Sequence, residues 1–129
     1  MDVGPAGGEH EHEGDLVCVL DTDGRVQYAS PSHLGYLEPG AMAPGTEWID
    51  LVHAEDRLNA RQFLTLLRST KSSERVQLRM FPSHGNWHVV ECRGNPVQDE
   101  NGNTQMIVLV SHDATTYLRA EIQSQLASP

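Results

Sequence analysis

The amino-acid sequence predicts an α+β domain, one antiparallel sheet of five strands with its helices gathered on one face. Three observations predict it. Strand patterns over 73–81, 87–97 and 104–111 follow one another with only short polar breaks between them. A second hairpin pattern, 16–20 and 25–30, stands at the N-terminal end. The well-formed helical periodicity inside the domain falls between these two groups, over 46–69.

In chain order, residues 1–14 (MDVGPAGGEHEHEG) lack apolar periodicity and read as a disordered acidic leader. Leu16 to Leu20 is a short buried strand. Asp21-Thr22-Asp23-Gly24 is a turn with Gly where a positive φ is needed. Arg25 to Ser30 alternates, with Val26 and Tyr28 on one face. Ser30-Pro31 opens about one helical turn to Tyr36, and the glycines and prolines of 37–45 forbid regular structure for long. Glu47 to Val52 is a short helix with Trp48 and Leu51 on one side.

His53 caps the main helix, which runs to about Ser69 with Leu58, Phe63, Leu66 and Leu67 as its core stripe. Glu55 and Asp56 suit the positive end of its dipole. Ser73 to Phe81 then places Val76, Leu78 and Met80 opposite Gln77 and Arg79. A turn at 82–86 leads into the strand from Trp87 to Val97. Asn101-Gly102 signals a type I′ hairpin turn, with both residues at positive φ. The run MIVLV, 106–110, reads as a central strand covered on both faces. Sheet closure places the first strand beside it. Asp113-Ala114-Thr115 stops the strand and opens a C-terminal exit helix, on which Leu118, Ile122 and Leu126 recur every four positions.

At 129 residues the chain holds one core, and aromatics at 5% make that core aliphatic. No window reaches the roughly 18 apolar residues of a membrane span, and the acidic start lacks the features of a signal peptide. The expectation is a cytoplasmic domain. A net charge of −9 repels phosphate backbones and argues against a nucleic-acid partner. Cys18 and Cys92 sit in strand patterns and read as buried, reduced thiols. Glu9 to Glu13 reads as a solvated tail rather than a metal site, because two histidines on an unordered segment do not close one.

The runs DTDGRVQYASP (21–31), LGY (34–36), LVHAEDR (51–57), GNWHVVECRGNPV (85–97), DENG (99–102) and HDAT (112–115) together resemble the PAS domain family. The likeness is to its bacterial sensor type, which carries a Trp-containing strand after the long helix. The resemblance implies a PAS fold with sheet order 2-1-5-4-3 over residues 15–116, followed by a linker helix over 117–129. It implies a non-catalytic sensor and signal-relay domain of a bacterial signalling protein, such as a sensor histidine kinase. A ligand-free dimerisation module is the alternative. A metal- or redox-dependent catalyst built on His84, His88, His112 or Cys92 is a further rival.

Asp113 and Thr115 match the family's strand-to-linker motif, with Ala114 in place of a larger aliphatic, and so become the candidate relay residues. A ligand pocket would lie between sheet and helices, walled by Trp48, Phe63, Leu66, Leu67, Val76, Leu78 and Met80. A filled core would use the same residues. The cofactor stays open. Haem held from the middle helix is disfavoured because 57–69 contains no histidine, and a LOV-type flavin because 47–52 contains no cysteine. The expected partners are a second copy, through the flanking helix, and a small molecule. Alternation does not fix which way His88 and His112 face.

Overall fold

The computed structural model describes residues 15–38, 40–83 and 86–115. The leader, the exit helix from Tyr117 onward and His84 lie outside the described residues. Five strands form one antiparallel sheet: β1 (Leu16–Leu20), β2 (Val26–Ala29), β3 (Glu74–Ser83), β4 (Asn86–Gln98) and β5 (Thr104–Asp113). Their spatial order is β2-β1-β5-β4-β3. The strand carrying MIVLV is therefore central, with β1 and β4 as its neighbours, as the closure argument requires.

One face of the sheet carries Leu16, Cys18, Leu20, Leu78, Val90, Cys92, Ile107 and Leu109, all buried. On the other face Val17, Val19, Val108 and Val110 stay partly exposed. The expectation that MIVLV is covered on both faces is thus corrected. Its continuous apolar run reflects central position and strand propensity rather than a second covering layer.

The covering layer consists of 3-10 helices Pro31–Gly35, Trp48–Leu51 and Ala54–Asp56, and of α1 (Arg57–Thr70). His53 caps this helical run as expected: its Nδ1 accepts from the Glu55 amide at 3.1 Å. The buried stripe of α1 is Ala60, Phe63, Leu64 and Leu67. Leu58 and Leu66 point to solvent, with Leu66 45% exposed. Both belong to a different phase of the helix from Phe63 and Leu67. Gly94 on β4 sets the phase. A Cβ built there would lie 2.5 Å from Leu67 Cδ1 and 2.8 Å from Phe63 Cζ, so the helix rests directly on the bare strand.

The β1–β2 and β4–β5 hairpins use the same turn. Asp21 Oδ1 accepts from the amides of Asp23 and Arg25, each at 2.9 Å, and Gly24 has φ +89°. Asp99 Oδ1 accepts from Asn101 at 2.8 Å and Asn103 at 3.0 Å, and Gly102 has φ +85°. This is a three-residue loop closed by an aspartate, not the expected type I′ turn, because Asn101 keeps a negative φ.

The segment between β2 and α1 also bonds to the sheet. Near β2, Val26 N donates to Thr46 O at 2.8 Å and Gly45 N to Val26 O at 2.7 Å. At β3, Val52 bridges Met80 and His53 N donates to Arg79 O at 2.8 Å. Asp56 Oδ2 accepts from the Arg79 amide at 2.8 Å, and the same carboxylate takes the Arg79 guanidinium. Those bonds from Arg79 hold the Asp56 carboxyl below its ordinary range.

Candidate functional site

The end of β5 is tied to β4 by side chains as well as by the ladder. Asp113 is the last residue of β5 and pairs in register with Val90. Its Oδ1 accepts from the Thr115 amide at 2.8 Å, and its Oδ2 lies 3.1 Å from His88 Nδ1. Thr115 Oγ1 accepts from the Val89 amide at 2.8 Å, and the Ala114 amide donates to Val89 O at 2.7 Å. The polar groups of 113–115 are thereby locked onto 88–89. Ala114 is 2% exposed, so the small side chain that replaces a larger aliphatic is still buried. Burial pushes the Asp113 carboxyl up, but the bonds from Thr115 and His88 outweigh it and leave it below its ordinary value.

From His88 a line of rings runs back into the helical layer. His88 meets Tyr36 edge-on, with ring centroids 4.8 Å apart. Tyr36 lies 5.6 Å from Phe81, and Phe81 lies 5.9 Å from His33 in a T-shaped contact. Such edge and tilted contacts are the favoured geometries for aromatic pairs. His33 is 4% exposed, and its Nδ1 sits 2.9 Å from Ser30 O, so that nitrogen carries the proton. Burial lowers the His33 pKa, opposed in part by the bond to Ser30. His33 is therefore a neutral core histidine.

Phe81 reaches this line through a local backbone distortion. Met80 and Phe81 are consecutive yet both buried, at 1% and 2% exposure, which a regular strand does not allow. The register slips between Met80 and Ser83, and Phe81 adopts φ +58°. This bulge turns an outward position inward.

The predicted ligand walls are mostly brought together. Trp48, Phe63, Leu67, Leu78 and Met80 belong to one buried cluster, and Val76 packs against it. Leu66 leaves the set because it faces solvent, and Leu64 takes its inward place. Trp48 and Phe63 are in ring contact at 6.3 Å, and the notch at Gly94 is filled by Phe63 and Leu67.

The remaining chemical candidates disperse. His112 faces the other side of the sheet and pairs with Glu91 at 3.2 Å. His53 stacks edge-on to Trp87 at 4.7 Å. Cys18 and Cys92 are both free and buried. Burial pushes the Cys18 thiol up to about 12, with the nearby Cys92 adding to it. Burial likewise pushes Cys92 up to about 11. Among the described residues no group of three or more His, Cys, Asp or Glu could hold a metal ion. The sequence motif singled out Asp113 and Thr115, but it did not show that His88 bonds Asp113 or that Tyr36, Phe81 and His33 line up behind His88. The aromatic content of 33–36 and 81–88 was the available signal.

A family model described as PAS fold matches residues 11–118. Among solved structures, the chain is similar to a sensory box histidine kinase/response regulator from Burkholderia thailandensis. The identity is 17% and the TM-score 0.70, covering 91% of this chain and 89% of that one. It is similar to a domain of a light and redox sensing histidine kinase from Haloarcula marismortui, at 17% identity and TM-score 0.68, covering 80% and 91%. It is also similar to the N-terminal domain of a diguanylate cyclase with PAS/PAC sensor from Marinobacter aquaeolei, at 14% identity and TM-score 0.69, covering 80% and 97%. No curated protein matches the chain. A family model spanning most of the sequence and a sheet in the order β2-β1-β5-β4-β3 lead to one conclusion: the chain belongs to the PAS fold family.

Proposed function

We propose that this PAS domain is a sensor and relay module of a signalling protein, of the kind that holds a histidine kinase or a cyclic-dinucleotide enzyme. A change in core packing shifts the ring line His33–Phe81–Tyr36–His88. His88 and Val89 then pass the shift to Asp113 and Thr115, and so to the segment that follows. The observation that carries the reading is the double tie of 113–115 to 88–89, by carboxylate and by hydroxyl. A relay needs an element that both sites can bias, and this tie joins the core to the chain exit.

The reading is non-catalytic. Burial of both cysteines, which favours the protonated thiols, supports this reading over nucleophilic cysteine chemistry. Among the described residues no helix is long and apolar enough to cross a membrane. Self-association through 117–129 belongs to the same reading and rests on the spacing of Leu118, Ile122 and Leu126.

The test is a coupling measurement. Tyr36→Leu breaks the ring line at its centre, far in sequence from the exit. Amide exchange at Ala114 and Thr115 should then quicken, and the same substitution should have a smaller effect in an Asp113→Ala background, where the His88–Asp113 contact is already gone. Unaltered exchange at both amides in Tyr36→Leu would remove the relay.

A further inference from the structure

The face of the sheet turned away from α1 carries a groove of about 510 Å³, bordered by Arg75, Gln77, Glu91, Arg93, Val110 and His112. Asp15 lines it too. Arg75 and Arg93 are direct cross-strand partners on β3 and β4. Their Cβ atoms are then about 5 Å apart on the same face. Like charges placed opposite one another in this way destabilise a sheet. Both side chains are exposed, and among the described residues neither makes a side-chain hydrogen bond or ion pair. The acid nearest in register, Glu91, is engaged by His112 at 3.2 Å. In a chain of net charge −9, two adjacent guanidiniums that make no ion pair among the described residues call for an explanation that folding does not supply.

We propose that this outer groove is a binding site for a small dicarboxylate. Each guanidinium presents a planar fork that matches a carboxylate with two parallel hydrogen bonds, and two adjacent forks match two carboxylates. Gln77 lies one alternation further along β3 on the same face and adds an amide donor, while Val110 offers methyl groups to a short carbon skeleton. The Glu91–His112 pair and Asp15 line the same groove beside the two guanidiniums. The proposal concerns binding alone and does not rest on the relay.

Succinate is the probe, titrated into the full chain by calorimetry at constant ionic strength. One-to-one saturable binding is expected, with Arg75→Gln and Arg93→Gln each raising Kd roughly tenfold. Arg61→Gln on the exposed face of α1 should leave Kd unchanged. In the absence of succinate, Arg75→Gln and Arg93→Gln should melt at or above the wild-type temperature, because each relieves a like-charge contact. A lower melting temperature in either variant would make the pair structural and overturn the site. So would equal Kd values in all variants, or phosphate binding more tightly than succinate.

Discussion

Replacing Asp113 by Ala removes the acceptor of two hydrogen bonds, from Thr115 N at 2.8 Å and from His88 Nδ1 at 3.1 Å. Bonds to a charged group contribute about 1.5–3 kcal/mol each when dry. The Asp113 side chain is 22% exposed, so water replaces part of what is lost. Discounting for that leaves roughly 1–2 kcal/mol for the pair. The loss falls at the end of β5, where it shows first as local opening. Exchange of the Ala114 amide, which bonds Val89 O, should quicken by about 5- to 30-fold. Amide exchange followed by NMR reads this directly. Asp113→Asn keeps one acceptor oxygen and should lose about half as much.

The pH dependence has a definite sign. The folded carboxyl lies below the ordinary value of 3.8, so its contribution is complete above that value and is lost as pH falls through the folded value. Wild type should therefore lose this part of its stability below about pH 4, while Asp113→Asn lacks that component. Wild-type exchange rates at Ala114 in the Ala variant, or parallel acid limbs in wild type and Asn variant, would refute the argument.

Two further outcomes follow from the packing. Gly94→Ala places a methyl 2.5 Å from Leu67 Cδ1 and 2.8 Å from Phe63 Cζ, which should cost about 1–3 kcal/mol in urea unfolding. Adding Phe63→Leu should recover part of it, and no recovery would mean that the strain lies elsewhere. Cys18 and Cys92, with thiols pushed up to about 12 and about 11, should resist alkylation at pH 8 in the folded protein. Mass spectrometry should find both modified once urea unfolds the chain, and modification without urea would contradict their burial.

Much of the sheet was legible because its signals are local. Asp21 to Gly24 and Asp99 to Gly102 mark turns wherever they stand, and the two apolar runs LVCVL and MIVLV identify neighbouring interior strands. The phase of α1 was not legible from apolar residues alone. Leu58, Leu64, Leu66 and Leu67 admit more than one stripe, and the choice is made by a notch at Gly94, distant in sequence. The inward turn of Phe81 depends on a bulge, which alternation counts as an outward position. His88 meets Asp113 because it shares the inner face with Val90, the register partner of Asp113, but its contact with Tyr36 from a separate short helix is encoded by no spacing within β4. The hydrogen-bonding residues Asp113 and Thr115 stood out in the sequence because their motif is contiguous.

The segment from Gly45 to Asp56 has a consequence for solubility. An open sheet ends in two rows of unsatisfied amides and carbonyls, a template on which another extended chain can add. Here one connecting segment occupies part of each row, at Val26 on one side and at Arg79 and Met80 on the other. The stretch of edge left for an incoming strand is thereby shortened at both margins without a closed barrel. The outer face of the sheet, where Val17, Val19, Val108 and Val110 stay partly exposed, presents side chains instead of backbone amides and carbonyls.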